Sequence, residues 1–241
     1  MCHHLAYFLQ AWKETNMKNK VITIDKAMTF VKDGCSLMMT GFGQSGSPRH
    51  LIRALSKTDV KNLHTISDDL GVAEHGFDQT ISALVNNKQI SKAECCFIGQ
   101  NPEASRQYIE GSLDIDFIPM GTFAERIRAG GAGIGGFYTK TGIGTLVEEG
   151  KETKVINGEK YLLELPLRAD VAFLHAYKAD RAGNAIFKYT ARNYNTVMAT
   201  AADTVILEAE QIVEIGDIEP DEVQLPGVFV DYVVEAEEDI L

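Results

Sequence analysis

The chain has 241 residues, 45% of them hydrophobic and 24% charged, and a formal net charge of −11. Such a balance excludes wholesale disorder, and the length favours one α/β domain with embellishments over two large ones. The acidic sum, with no run of five Lys or Arg, excludes general nucleic-acid binding, and no run of eighteen apolar residues is present to span a membrane.

Residues 1–16 read apart from the rest. They hold the single tryptophan, Trp12, and an apolar stretch from Leu5 to Leu9 that is too short, and lacks the basic lead, for a signal peptide. Met17 opens a natural-looking start, so one domain over 17–241 is expected, with 1–16 as an upstream start or added residues. Cys2, Cys35, Cys95 and Cys96 form no C-x-x-C pair, and adjacent Cys95 and Cys96 would face opposite sides of a strand. Reduced cytoplasmic thiols fit better than a zinc site or a disulfide framework, and His3 with His4 reads as a solvated terminal pair.

Strands and helices then alternate. Ser36 to Met39 is strand-like, and glycine-rich Gly41 to Gly46 follows it. Ser47 is placed to cap a helix with Pro48 at its first position and Leu51, Ile52 and Leu55 on one face. Strands are expected at Leu63–Ile66, Glu94–Ile98 and Ile115–Ile118, with helices at Gln79–Val85, from Asn101-capped Pro102 to near Gly111, and at Phe123–Arg128. Asn157-Gly158 between two apolar-rich runs signals a β-hairpin. Further strands are expected at Val171–His175, Thr204–Leu207 and Val228–Val234, with a helical segment around Asn195–Ala202 and a solvated acidic tail, Glu235 to Asp239. This rhythm predicts an open, largely parallel sheet flanked by helices, with a small β-hairpin embellishment.

Nine of the 21 glycines lie between Gly121 and Gly150. Two readings stand for Gly130 to Gly144: sharp bends joining the sheet to a small flap, or backbone lining a ligand. Gly41-Phe42-Gly43-Gln44-Ser45-Gly46 fits G-x-G-x-x-G after a strand and before a helix, with Asp68 as an acidic residue beyond the next strand. NAD-type binding, a plain strand-to-helix turn, and another phosphate- or adenine-bearing ligand at a helix N-terminus all remain open from this pattern alone.

The wider wording narrows it. Asp33-Gly34, the run Leu37-Met38-Met39, then Thr40-Gly41-Phe42, Gly46 and Pro48 resemble the signature G-G-F-x-x-x-G-x-P of family I coenzyme A transferases, α subunit, with Thr40 in place of the first glycine. Gly99-Gln100-Asn101-Pro102-Glu103 is similar to the family's G-x-N-P-E segment. The stretch from Gly121-Thr122 through Glu125, Ile127-Arg128 and Gly130-Gly131-Ala132-Gly133 matches its G-T-x-x-E-x-I-R-x-G-G-A-G. Thr139-x-Thr141-Gly142-x-Gly144-Thr145, Leu167-Arg168-Ala169-Asp170 and Ala191-Arg192-Asn193-Tyr194-Asn195 also agree. The resemblance covers about Met17 to Glu235, and bacterial enzymes using acetate, butyrate or acetoacetate are nearest.

That resemblance implies the fold shared with certain sugar-phosphate isomerases and a ping-pong transfer of CoA from an acyl-CoA to a carboxylic acid. A glutamate attacks the thioester, giving an acyl-glutamyl anhydride and then a glutamyl-CoA thioester. The family carries that glutamate in a Ser-Glu-Asn-Gly motif of its β subunit, and no Glu-Asn-Gly occurs here. The catalytic nucleophile is therefore expected on a partner β subunit, in an αβ hetero-oligomer of the α2β2 kind or larger, and none in this chain. No metal is expected, and CoA enters as a substrate, not as a bound cofactor. Thr40, Gly41, Phe42, Gly43, Gln44, Ser45 and Gly46 are the implied CoA-binding segment, with Phe42 as a packing wall. Asn101, Met120 and Gly121 are the implied substrate and oxyanion region. Asn101 reads first as a helix cap. Met120 stands where relatives commonly carry a glutamine thought to help stabilise the oxyanion, and it has no N–H to offer. Either a neighbouring amide compensates or a more apolar acid is preferred. Glu125 with Arg126 and Arg128 reads as an ion-pair cluster, and Glu103 as a first-turn helix-dipole residue. The rival readings are a non-catalytic acyl-CoA-binding or assembly protein, or an isomerase or hydrolase acting alone.

Overall fold

The computed structural model describes residues 18–72 and 80–237. The N-terminal extension with Cys2, His3, His4 and Trp12, the start at Met17, the expected helix start at Gln79, and Glu238 and Asp239 of the tail lie outside them. The elements in order are α1 (Ile24–Met28), β1 (Ser36–Met39), α2 (Arg49–Ser56), β2 (Leu63–Ile66), α3 (Ile81–Asn86) and β3 (Ile90–Cys95). Next come α4 (Pro102–Ile109), β4 (Asp114–Phe117), α5 (Met120–Gly131), β5 (Phe137–Thr139), β6 (Thr153–Ile156) and β7 (Glu159–Glu164). The last are β8 (Ala169–Asp180), β9 (Ala185–Ile186), α6 (Asn195–Met198), β10 (Ala202–Val213) and β11 (Tyr232–Glu235).

The main sheet runs β11-β10-β8-β1-β2-β3-β4, every one of these pairs parallel, and short β9 adds antiparallel to the far end of β8. Helices cover both faces. Leu37 and Met39 point into one core with Leu51 and Leu55 of α2 and Leu84 of α3. Met38 points into the other with Phe123 and Ile127 of α5 and Met198 of α6. A strand buried on both faces reads as a continuous apolar run, which is why Leu37-Met38-Met39 does not alternate with polar residues. Cys95 and Cys96 divide in the same way, one facing each core.

Several boundaries move for physical reasons. β3 begins at Ile90, because backbone pairing to β2 starts at Leu63–Ile90 and, after a bulge at Ser91, takes the polar Lys92 into the ladder. α5 starts at Met120 and continues through Gly130 and Gly131, poor helix formers held by the buried Phe123 and Ile127. The segment after Asn195 is helical only to Met198 before β10 takes over, and Gly227–Phe229 is a 3₁₀ turn, so the last strand starts at Tyr232. Glu235 ends that strand. Glu237 folds back onto α2, with its carboxylate 3.1 Å from His50 Nε2 and 3.3 Å from Arg53, so the tail is tied down at this point while Glu235 and Glu237 stay exposed, as expected.

The hairpin forms where expected, with Asn157 and Gly158 both at positive φ, and β5 adds to it as a third strand. Of the two readings for the dense glycines, close packing and bends hold for the glycines of α5 and the flap. A Cβ on Gly130 would lie 1.9 Å from the Leu167 carbonyl oxygen, and one on Gly131 would lie 2.0 Å from Thr200 Oγ1. The α5 backbone can thus lie directly on the segments entering β8 and β10. Gly130→Ala is expected to lower stability by about 1–3 kcal/mol in urea unfolding, and a variant with unchanged midpoint would show that α5 shifts without cost.

Candidate functional site

The chain advances from β1 to β4 in one direction, then returns to place β8 on the other side of β1. Connections therefore diverge at the carboxyl end of β1, the place where open α/β sheets bind ligands. The segment from Thr40 to Gly46 occupies that position. Thr40 donates its amide to Phe173 O of β8 and its hydroxyl to Gly46 O at 3.0 Å, so the residue replacing the family's glycine closes the loop at its base. Phe42 and Ser45 exchange backbone hydrogen bonds across a tight turn.

Two neighbours clamp this turn. From the β2 side, Asp69 accepts the Gly43 amide at 2.7 Å through one oxygen and the Gly71 amide at 2.7 Å through the other. From the other side, Asn193 donates its side-chain amide to Ser45 O at 2.9 Å. Gly46, at φ +68°, leaves room for this contact: a Cβ there would lie 2.5 Å from Ala191 O. Gly41, Gln44 and Gly46 keep backbone amides with no acceptor among the described residues. Phe42 is 52% exposed and walls nothing within the chain itself.

The helix after the loop is capped in an unexpected way. α2 starts at Arg49, one residue later than the sequence suggests, and Pro48 supplies no side-chain cap, nor does Ser47. Glu208 of β10 does this instead: it is fully buried and accepts the Leu51 amide at 2.8 Å, with the amides of Arg49 and His50 also facing it. An internal carboxyl thus fills the helix N-terminus that a ligand phosphate would occupy in a dinucleotide-binding turn. Asp68, the acid required by that reading, is buried and accepts the Tyr194 hydroxyl at 2.7 Å. Both anchors of the NAD-type reading are therefore already in use.

The remaining expected residues share this edge of the sheet. Asn101 is 1% exposed; its carbonyl oxygen accepts the Ala104 amide at 3.0 Å and its amide donates to Leu70 O at 2.7 Å. It is a helix cap tied to the β2 loop, and both its polar groups are engaged by the protein. Met120 and Gly121 open α5 beyond β4, and Met120 is 45% exposed. The turn after β1 and the start of α5 are three strand spacings apart, about 14 Å along one edge. Starting α5 at Met120 leaves the Met120 and Gly121 amides in a first turn with no helical acceptor. Among the described residues no group of three or more potential ligands could hold a metal ion.

The family model for coenzyme A transferases matches residues 21–236. The chain belongs to the coenzyme A transferase family. It is 40% identical over 222 residues to the acetate CoA-transferase subunit alpha of Escherichia coli K12, covering 92% of this chain and 99% of that one. It is 43% identical over 218 residues to the acetoacetyl-CoA:acetate/butyrate CoA transferase alpha subunit of Clostridium acetobutylicum, covering 90% and 98%. Among solved structures, an acyl-CoA transferase apoenzyme from E. coli O157:H7 superposes with a TM-score of 0.80 at 23% identity, over 94% of this chain. That likeness bears out the open, mostly parallel fold; the present chain spans about half (48%) of that protein's length.

Within this transferase fold, the expected Glu125-Arg126-Arg128 cluster divides. Arg128 pairs with Glu125 at 2.6 Å, whereas Arg126 reaches Glu94 of β3 at 3.3 Å and Glu164 of β7 at 3.8 Å. Lys151 joins Glu164 at 2.6 Å, so the network ties α5 to both the sheet and the flap. Glu103 accepts from Arg106 and Gln107 on its own helix. Asp69 and Glu208 were not assigned site roles from sequence, whereas Asn193 does support a backbone turn, as its sequence reading expects. For Glu208 the signal was there: one acid inside the apolar run Val205 to Ala209. Burial pushes its carboxyl up to about 8 from an ordinary 4.5, outweighing the amide donors and Arg49. The folded state then keeps a proton that the unfolded state releases near 4.5, and this group's stabilising share is lost as pH rises toward 8. Melting curves should therefore show the natural protein losing Tm relative to Glu208→Gln between pH 5 and 8, and parallel curves would exclude a neutral buried carboxyl.

Proposed function

We propose that this chain is the α subunit of a short-chain acyl-CoA:carboxylate CoA-transferase of the acetate, butyrate and acetoacetate type, working with a β subunit in an αβ hetero-oligomer. The observation that carries this reading is similarity at 40% and 43% identity over nearly the full length of two α subunits with such names. Absence of Glu-Asn-Gly from the sequence supports a nucleophile on the partner. The partner's glutamate attacks the acyl-CoA carbonyl, and the CoA thiolate leaves as an acyl-glutamyl anhydride forms. Thiolate attack on the glutamyl carbonyl then releases the first acid and leaves a glutamyl-CoA thioester, which the second acid enters by the reverse steps.

This chain contributes binding and charge stabilisation. The turn from Thr40 to Gly46 offers the unengaged amides of Gly41, Gln44 and Gly46 to polar atoms of CoA or of the acyl group. Exposed Phe42 and Met120 on the same edge suit contact with substrate or partner. The first-turn amides of α5 at Met120 and Gly121 support the oxyanion where Met120 lacks a side-chain donor; a donor of that kind is worth about 3 kcal/mol in the transition state. CoA acts as a substrate in this scheme. No helix among the described residues is long and apolar enough to cross a membrane, and Cys35, Cys95 and Cys96 are free thiols, in keeping with a cytoplasmic location.

Co-expression with a CoA-transferase β subunit carrying Ser-Glu-Asn-Gly, followed by CoA exchange from acetyl-CoA to butyrate and acetoacetate, is expected to give turnover that neither chain gives alone. Activity of this chain by itself would refute the division of labour. Methionine accommodates alkyl groups, so Met120→Gln in the assembled pair should shift preference from butyrate toward smaller, more polar acids. An unchanged acid profile would remove Met120 from substrate selection.

A further inference from the structure

The two clamps on the glycine turn are joined to each other beneath it. Asp69, which holds the Gly43 amide, follows Asp68, and Asp68 accepts the Tyr194 hydroxyl at 2.7 Å. Tyr194 follows Asn193, which holds Ser45 O and whose side-chain oxygen accepts the Tyr194 amide at 2.6 Å. The path Gly43–Asp69–Asp68–Tyr194–Asn193–Ser45 is thus closed, and one hydroxyl bridges its two halves. Each half is anchored separately. The Asp68 carbonyl accepts the Cys96 amide at 2.8 Å and the Asp69 carbonyl accepts the Ser67 hydroxyl at 2.8 Å, which fixes the first half at the ends of β2 and β3. Asn195 fixes the second half on β8, where it accepts the His175 amide at 2.9 Å.

Tyr194 makes a further contact with its ring, which meets Phe123 edge to face with centroids 5.3 Å apart. Phe123 is buried, and its amide closes the first turn of α5 on Pro119 O at 2.8 Å. That turn carries the Met120 and Gly121 amides. One partly buried side chain therefore touches the clamp of the glycine turn with its hydroxyl and the start of α5 with its ring. Burial and the Asp68 carboxylate push the phenol up, so the hydroxyl remains a donor at neutral pH. Asp68 is buried, and a buried acceptor deprived of its donor is costly, so this bond fixes the acid in one place. The Cys96 thiol also faces Asp68, but a thiol is a weak donor.

We propose that Tyr194 is a positioning residue of the transferase site: its hydroxyl sets the glycine turn for acyl-CoA, and its ring sets the first-turn amides of α5 for the reacting carbonyl. The ligand and the role of α5 rest on the CoA-transferase reading; the hold on the turn does not. The two effects belong to different atoms of one side chain, so substitution separates them.

Tyr194→Phe removes the hydroxyl and keeps the ring. In the assembled αβ pair it should raise KM for acyl-CoA about fivefold with kcat unchanged, the scale of one hydrogen bond to a charged group. Asp68→Asn added to Tyr194→Phe should raise KM no further, since both changes remove the same bond. Tyr194→Leu removes the ring as well and should also lower kcat about fivefold, as should Phe123→Leu, which breaks the same contact from the α5 side. Tyr138→Phe takes a hydroxyl from Glu152 on the flap and should change neither constant. Hydrogen exchange on the full chain gives a readout free of activity: the Gly43 amide should exchange about fivefold faster in Tyr194→Phe. Unchanged KM and unchanged Gly43 exchange in that variant, or an equal effect of Tyr138→Phe, would overturn the hold on the turn. Unchanged kcat in both leucine variants would overturn the role of the ring. A pair without CoA exchange, combined with faster Gly43 exchange in Tyr194→Phe, would keep the hold on the turn and discard the transferase reading.

Discussion

The turn between β1 and α2 is held from both sides, and the rest of the site takes its position from that clamp. Asp69 holds Gly43, Asn193 holds Ser45, and the Thr40 hydroxyl closes the turn on Gly46. These hydrogen bonds come from segments far apart in the chain, the loop after β2 and the turn before α6. The central parallel strand β1 makes them neighbours, because β2 pairs with one of its edges and β8 with the other. The turn can then present amides to a ligand without collapsing onto either flank.

Burial of acids is the recurring device around it. Asp68, Asp69 and Glu208 all serve as acceptors inside the protein, for Tyr194, for the glycine turn and for the start of α2. Each removes from ligand use a group that a short-motif reading would have assigned to one. A G-x-G-x-x-G turn followed by a helix suggests phosphate at the helix end, yet here the helix end is satisfied by Glu208. The same pattern of letters therefore supports different chemistry depending on which side chain arrives from β10. Asn101 makes a similar point: its position before Pro102 is that of a cap, and its second polar group is engaged by Leu70 O.

Much of the fold was legible because both-face burial leaves a plain trace. Ser36 to Met39 and Leu63 to Ile66 match β1 and β2 to the residue, and Asn157-Gly158 marks the hairpin. Where reading by apolar runs fell short, backbone pairing had carried a polar residue into a strand, as with Lys92, or packing had overridden glycine's poor helix propensity, as in α5. Asp69 was missed by one position: Asp68 drew notice as the acid beyond the second strand, while its neighbour makes the contact with the turn.

What the sequence by itself determined is the family and the lack of a Glu-Asn-Gly nucleophile motif, because motif order and wording are properties of the chain alone. It also determined the alternation of strands and helices, since apolar periodicity and turn residues act locally. Only the tertiary structure decided which acids are occupied and why Thr40 is accepted in the turn. Those outcomes depend on desolvation and on hydrogen bonds between residues more than a hundred positions apart, such as Asn193 with Ser45 and Glu208 with Leu51. No local pattern encodes such pairings; they exist only once β1, β8 and β10 lie side by side.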